Sequence, residues 1–171
     1  MKHRGFRTIS YIFINYVEMS EADSKKIWQM RNHPLVAKWM VNSEEIPFEE
    51  HQRFVSSLST KTEKDYFIIK DFSSNIIGSV NIDYTETPYP ERGIFINPLF
   101  FHQNHAFNSL KEFYEHAKSE WGIPGIMTKV KIDNIGSNRL EEKLGARQSL
   151  TKEGYNIYNL SFDETENHIS R

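Results

Sequence analysis

Apolar and polar positions along the chain divide it into short segments of two periods. Ile9 to Val17 is rich in Tyr, Ile, Phe and Val and predicts a first strand. Ser20 or Ser24 then offers a helix cap ahead of Ile27, Trp28 and Met30. Asn32-His33-Pro34 breaks that helix, because proline disfavours helical geometry in the residue before it. Leu35, Val36, Trp39 and Met40 predict a second short helix. Pro47 suits the start of a third, with Phe48, Phe54, Val55 and Leu58 as its buried stripe. A meander follows: strands at 65–70 and 76–84 about a polar turn, then Gly93 to Asn97 after a loop marked by Pro88 and Pro90. Phe107, Leu110, Tyr114, Ala117 and Trp121 fall at helical spacing, and Gly122 and Pro124 end that helix. Met127 to Ile132 predicts a strand and Asn134 to Leu144 a helix closed by Gly145. Strands at 147–150 and 155–162 complete the order, and the residues from Asp163 form a polar tail.

Helices placed after the third and fourth strands of a largely antiparallel meander imply an α/β (α+β) fold. Its mixed, mostly antiparallel sheet would have seven strands, with helices on both faces. The chain has 171 residues and no repeat or linker, so a single domain over 1–171 is expected. Composition narrows the chemistry. With 21 basic and 23 acidic side chains there is no basic excess of the kind nucleic-acid binding requires. The absence of Cys removes disulfides, thiolate metal sites and a thiol nucleophile. Apolar runs such as Tyr11-Ile12-Phe13-Ile14 are too short to span a bilayer, and the N-terminal residues are charged and polar. The expectation is a cytoplasmic protein with no membrane partner. His102 and His105 lie three apart without a third ligand, so no metal site is expected. His116 falls on the exposed side of its helix.

One segment is more specific than the rest. Asn134-x-x-Ser137-x-Arg139-x-x-Glu142-Lys143-Leu144-Gly145 is similar to the N-x-x-S-x-R-x-x-E-K-L-G pattern common in GNAT acetyltransferases, the ribosomal-protein N-terminal acetyltransferases especially. Met30-Arg31-Asn32-His33-Pro34, Trp39-Met40, Phe48-Glu49-Glu50-His51-x-x-Phe54 and Gly93-Ile94-Phe95-Ile96-Asn97-Pro98 resemble the GNAT N-acetyltransferases of pseudaminic acid biosynthesis. The likeness runs over roughly residues 9 to 162. It implies acetyl-CoA as co-substrate and, as acceptor, the 4-amino group of a UDP-linked 4-amino-4,6-dideoxy sugar. The amine would attack the thioester directly, with no covalent enzyme intermediate.

The resemblance also distributes roles. In GNAT enzymes a splay between two parallel strands frees backbone groups for the pantetheine arm and the carbonyl, which implicates Ile94, Phe95 and Ile96. Donors aimed at developing charge contribute about 2.7–4 kcal/mol each in comparable sites. The pyrophosphate loop would be Phe101-His102-Gln103-Asn104-His105-Ala106 at the head of the next helix, where unpaired N–H groups favour anions. Family members place glycines at two positions of this loop, and here those positions hold His102 and Asn104. Asn tolerates positive φ and His follows it. Asn134, Ser137 and Arg139 are further cofactor candidates. A Tyr that protonates the leaving thiolate in many members is replaced by Glu141, a carboxylate expected to be solvated beside Glu142 and Lys143. Tyr155 or Tyr158 could supply a phenol instead, with Tyr158 the candidate, or water could serve. Arg31, His51, Asn81 and Phe95 occupy acceptor-contact positions. Arg31 suits phosphate or hydroxyl recognition, or a salt bridge at its helix end. His51 suits a base acting through water, or is a helix-surface residue. Protein N-terminal acetylation and a non-catalytic GNAT-fold binding module are the competing readings. A homodimer is left open.

Overall fold

The computed structural model describes residues 2–85, 87 and 89–163. Pro88 and the tail beyond Asp163 lie outside them. Among the described residues the sheet has eight strands, not seven, in the order β1-β2-β3-β4-β5-β6-β8-β7. They are β1 (Phe6–Arg7), β2 (Ile12–Asn15), β3 (Lys64–Lys70), β4 (Ile76–Asp83), β5 (Glu91–Ile96), β6 (Gly125–Lys131), β7 (Arg147–Lys152) and β8 (Tyr155–Ser161). The extra strand is the two-residue edge β1, which pairs Phe6 with Phe13 and Arg7 with Ile12. Two residues are too few to show an alternation, so pattern alone missed it. The expected strand over 9–17 is also shorter than predicted. Thr8 N–H bonds the Tyr11 carbonyl at 2.9 Å to turn the hairpin, and Tyr16–Glu18 coils into a 3₁₀ turn capped by Asn15.

Among the described residues five α-helices cover the sheet: α1 (Glu21–Asn32), α2 (Pro34–Ala37), α3 (Phe48–Ser57), α4 (His105–Trp121) and α5 (Ile135–Lys143). Their ends follow the local chemistry. Ser20 caps α1 by accepting from Asp23 N–H, and Pro34 separates α1 from α2. Asn134 caps α5 through Ser137 N–H, and Gly122 and Gly145 take left-handed conformations after α4 and α5. None of these helices is long and apolar enough to cross a membrane.

The two sheet faces carry separate cores. On the α4 and α5 face, Phe13, Phe67, Ile69, Val80 and Ile82 pack with Leu110 and Phe113. On the α1–α3 face, Tyr16, Ile27, Leu58, Ile68 and Ile76 pack with half-buried Phe54, Tyr66 and Phe95. A bulge resets the register of β3 and β4, which pair Ile69 with Gly78 and then Lys70 with Ile76. Ile77 is thereby released toward the α4 core while Ile76 faces the other.

The feature that positions the site lies between β5 and β6. They are parallel and pair at one position, Glu91 opposite Met127, where Met127 N–H bonds the Pro90 carbonyl at 2.9 Å. Beyond it they part. Backbone groups of successive strand residues point to alternate sides. With Pro90 facing β6, the carbonyl of Arg92 and the backbones of Ile94 and Ile96 face the gap, and the backbones of Gly93 and Phe95 face β4. Asn97 N–H, bonded to the Ile77 carbonyl, continues the alternation.

On the paired side the fit is close. The Phe95 carbonyl lies against Gly78, where any Cβ would collide with it. Gly78→Ala is therefore expected to lower stability by about 1–3 kcal/mol, because the obstacle is backbone and cannot rotate away. Urea denaturation of the variant checks this.

Candidate active site

The loop from β5 into α4 has left-handed backbone at the two positions where sequence reasoning placed the missing glycines. His102 has φ 62° and Asn104 φ 60°. Neither side chain prevents it, since both are exposed and project outward. Asn104 is the N-cap of α4 but its side chain caps no N–H, so the first-turn N–H groups of His105, Ala106 and Phe107 lack an intrahelical acceptor. Those groups and the helix dipole favour an anion there. Lys143, reaching across from α5, adds a positive charge: its Nζ is 3.3 Å from Asn104 Oδ1 and 4.2 Å from the Phe107 ring centroid. Within the loop His105 is not available to a ligand through Nδ1, which lies 2.9 Å from the Tyr11 hydroxyl. Gln103 is turned back onto the Leu99 carbonyl, and half-buried Phe101 lies beside His102.

Beneath the gap, β5, α4 and α5 meet at a buried charge pair. Glu141 is 2% exposed, not solvated as its neighbours in sequence suggested. Its Oε1 accepts from Arg92 Nη2 at 2.6 Å, and Arg92 Nε donates to the Tyr114 hydroxyl at 2.8 Å. Burial by itself would depress the Arg92 pKa, but the adjoining Glu141 carboxylate outweighs it and raises the pKa. Glu141 faces inward because its helix turn is the one that lies over β5. No local pattern distinguishes it from Glu142, which is exposed.

A second polar group joins α5 to β8. Asn138 donates to the carbonyls of Lys131 and Asn134, while its Oδ1 accepts from Asn156 Nδ2 at 2.9 Å and from the Tyr158 hydroxyl at 2.8 Å. Tyr158 is thus a buried phenol whose proton is already engaged, and burial raises its pKa. Of the other α5 candidates, Asn134 and half-buried Ser137 form the cap and Arg139 is exposed.

On the opposite face, Asn81 and Phe95 point the same way as Tyr66. The Asn81 amide lies over Gly93, whose lack of a side chain makes room for it. His51 is buried on α3, not on a helix surface, with Nε2 3.0 Å from Ser24 Oγ on α1. Burial lowers its pKa and the contact with Ser24 offsets part of that. Among the described residues Arg31 makes no ion pair with a carboxylate within bonding distance. Its fork donates to the carbonyls of Glu44, at 2.6 Å, and Asn42. Asn32 completes the clasp by bonding both the N–H and the carbonyl of Ile46. These bonds hold the 41–46 loop against the end of α1. Arg31, His51 and Asn81 therefore share one side of the sheet but no hydrogen bond joins them. A groove of about 420 Å³ adjoins the clasp, lined by Asn32, Pro34, Ala37, Lys38, Ser43 and Glu45. Lys131 Nζ bonds the Lys38 carbonyl and so ties α2 to the open end of β6.

A protein-family model described as Acetyltransferase (GNAT) domain matches residues 14–147. The chain belongs to this GNAT acetyltransferase family. Its sequence is 32% identical over 84 residues to acetyltransferase PseH of Campylobacter jejuni serotype O:2, an alignment covering 49% of this chain and 52% of that protein. The chain thus spans about half the length of the curated relatives it matches first. Among solved structures, C. jejuni PseH in complex with acetyl coenzyme A superposes with a TM-score of 0.72 at 18% identity, covering 89% of this chain and 99% of that one. Spermidine N-acetyltransferase of Vibrio cholerae, in complex with CoA and spermine, gives 0.75 at 14% identity over 88% of this chain and 93% of that one. These similarities establish the GNAT fold.

Within this GNAT domain sequence reasoning missed Arg92, Asn138, Ser24 and Lys143. Arg92 carried a usable signal, a charge inside an otherwise apolar strand. Asn138 had one too, standing one helical turn after the cap Asn134. Nothing in the sequence marked Ser24 as the partner of His51.

Removing one member of a buried pair strands the other charge. Glu141→Ala is expected to cost about 3–5 kcal/mol of stability, measured by chemical denaturation. His51 supplies a pH effect. Its folded pKa lies below the ordinary value near 6.5, so the unfolded chain takes up the proton first as pH falls. Its stabilising contribution is complete above about pH 6.5 and is lost below it. Between about pH 7 and pH 5 the wild type should lose more Tm than His51→Asn. His116, whose pKa is also lowered by burial, is present in both proteins and cancels.

Proposed function

We propose that this protein transfers the acetyl group of acetyl-CoA to the 4-amino group of a UDP-linked 4-amino-4,6-dideoxy sugar. The observation that carries the donor half is the left-handed backbone at both His102 and Asn104, standing at the end of a strand that has parted from its parallel neighbour. Glycine is the usual residue where φ is positive. Non-glycine residues held there at both positions keep the anion-binding shape despite the strain. The residues fit the co-substrate: first-turn N–H groups and Lys143 for the pyrophosphate, and the backbones of Ile94 and Ile96 for the pantetheine arm and the carbonyl.

The acceptor half rests on the alignment with PseH and on the residues that resemble the sugar-acetylating family. Asn81 and Phe95 offer an amide and an aromatic face on the acceptor side of β4 and β5. His51, kept neutral by burial, takes the amine proton through water, and Ser24 holds its ring. Arg31 acts by fixing the loop that borders the groove, since its Nη1 and Nη2 groups donate to the Glu44 and Asn42 carbonyls. Glu141 holds Arg92 in place and is not a proton donor, and the Tyr158 proton is bound to Asn138.

Purified protein with acetyl-CoA is expected to acetylate a UDP-4-amino-4,6-dideoxy sugar, followed by mass spectrometry of the product. His51→Ala should lower kcat/KM by about 10²-fold or more. Acetylation of a peptide N-terminus in place of the sugar would overturn the acceptor assignment. No calorimetric heat with millimolar acetyl-CoA would sink the donor assignment as well.

A further inference from the structure

Thr128 Oγ1 is the one buried side-chain oxygen or nitrogen without a hydrogen-bond partner among the described residues. The residue is 3% exposed, so water does not satisfy it from the surface. A hydroxyl left unpaired in the interior costs free energy, commonly about 1–3 kcal/mol, and native structures contain few of them. Valine has the same shape and would pack there without the penalty.

Its position gives the hydroxyl a purpose. Glu91 and Met127 form the last paired position of β5 and β6, so Arg92 and Thr128 are the first residues past the point where the strands part. Alternation puts Thr128 on the same face as Ile126, which packs in the α4 core. Arg92 points to that face too, toward Tyr114 and Glu141. On its other side Thr128 pairs across the sheet with Tyr158, whose hydroxyl is bound to Asn138. The Tyr158 hydroxyl is thus committed to Asn138, and Arg92 Nε and Nη2 to Tyr114 and Glu141. The unpaired oxygen stands at the apex of the gap, the end farthest from the anion-binding head of α4.

A chain that enters from the head of α4 and runs down the gap brings its far end to this apex. On the reading of the gap as the acetyl-CoA cleft, that end is the thioester. We propose that the Thr128 hydroxyl, closed off in the free protein and reached as the cleft fills, is a catalytic residue that hydrogen-bonds the thioester sulfur and stabilises the leaving thiolate. During transfer the acceptor nitrogen bonds to the carbonyl carbon, the carbon–sulfur bond breaks with its electron pair on sulfur, and the proton shed by nitrogen passes by way of His51 and water to solvent. Thr128 O–H donates to the charged sulfur throughout and keeps its own proton. Solvent protonates the thiolate on release. This supplies by hydrogen bonding part of what a phenolic acid would supply by proton transfer, and Glu141 occupies the position where that phenol was expected.

The test uses Thr128→Val and Thr128→Ser in the full chain, titrated calorimetrically with CoA and with desulfo-CoA, which lacks the sulfur. At about pH 8.5, where a cysteine thiol is half ionised and the CoA thiol ionises in part, Thr128→Val should bind CoA roughly tenfold more weakly than wild type, as expected for a hydrogen bond to a sulfur that the site holds as thiolate. Its affinity for desulfo-CoA should be unchanged. Thr128→Ser should restore CoA affinity, and Thr128→Val should melt no lower than wild type, because the hydroxyl has no protein partner to lose. Equal effects on both ligands, or none on either, would overturn the role of Thr128 while leaving the cofactor site standing. Failure of the wild type to bind either ligand would overturn the cofactor reading and this proposal with it.

Discussion

The parting of β5 and β6 after a single paired position is the constraint on which the rest of the structure depends. Buried backbone groups require partners, and a parallel pair ordinarily supplies them along its length. Here the carbonyl of Arg92 and the backbones of Ile94 and Ile96 face a gap that no other strand fills. A sheet so opened is stable only if the elements on either side are held apart by something rigid. It also offers a row of backbone donors and acceptors to a ligand that can lie between the strands.

Holding the strands apart falls to polar groups that would be costly in an ordinary core. Arg92, Glu141 and Tyr114 join β5, α5 and α4 beneath the gap, and Asn138 joins α5 to β8 through Asn156 and Tyr158. A buried ion pair contributes little net stability over an apolar replacement, since desolvation offsets most of its attraction. Its hydrogen bonds are directional, however, and they fix α5 in one position over the strands. The same helix then carries Lys143 to the head of α4. One short helix thus links the base of the gap to the head of α4, and Glu141 serves this architecture. Across the sheet Arg31 and Asn32 hold the 41–46 loop, and the amide of Asn81, the ring of Phe95 and the buried imidazole of His51 lie on that same side.

Much of the fold was legible in the chain because its causes are local. Pro34 and Pro47, the Ser20 and Asn134 caps and the Gly122 and Gly145 stops each act within a few residues, and the helices lie where those signals put them. The pattern of strand and helix was enough to imply a mixed sheet with helices on both faces. The edge strand β1 was not legible, since two residues carry no period. The bulge at Ile77 was hidden as well, because it exists only in the pairing of β3 with β4.

For the site the division is similar. Sequence by itself determined the segment Asn134–Gly145 and the loop from Phe101 to Ala106, because caps and stops act locally, and the family resemblance marked His102 and Asn104 as the glycine positions where the structure has left-handed backbone. Only the tertiary structure decided that Glu141 is buried against Arg92 while Glu142 is exposed, that His51 is buried against Ser24, and that Thr128 is left without a partner at the apex of the gap. Those outcomes depend on which residues distant in sequence arrive on the same side of a strand. Burial and charge pairing are properties of that arrival, and no residue carries them alone.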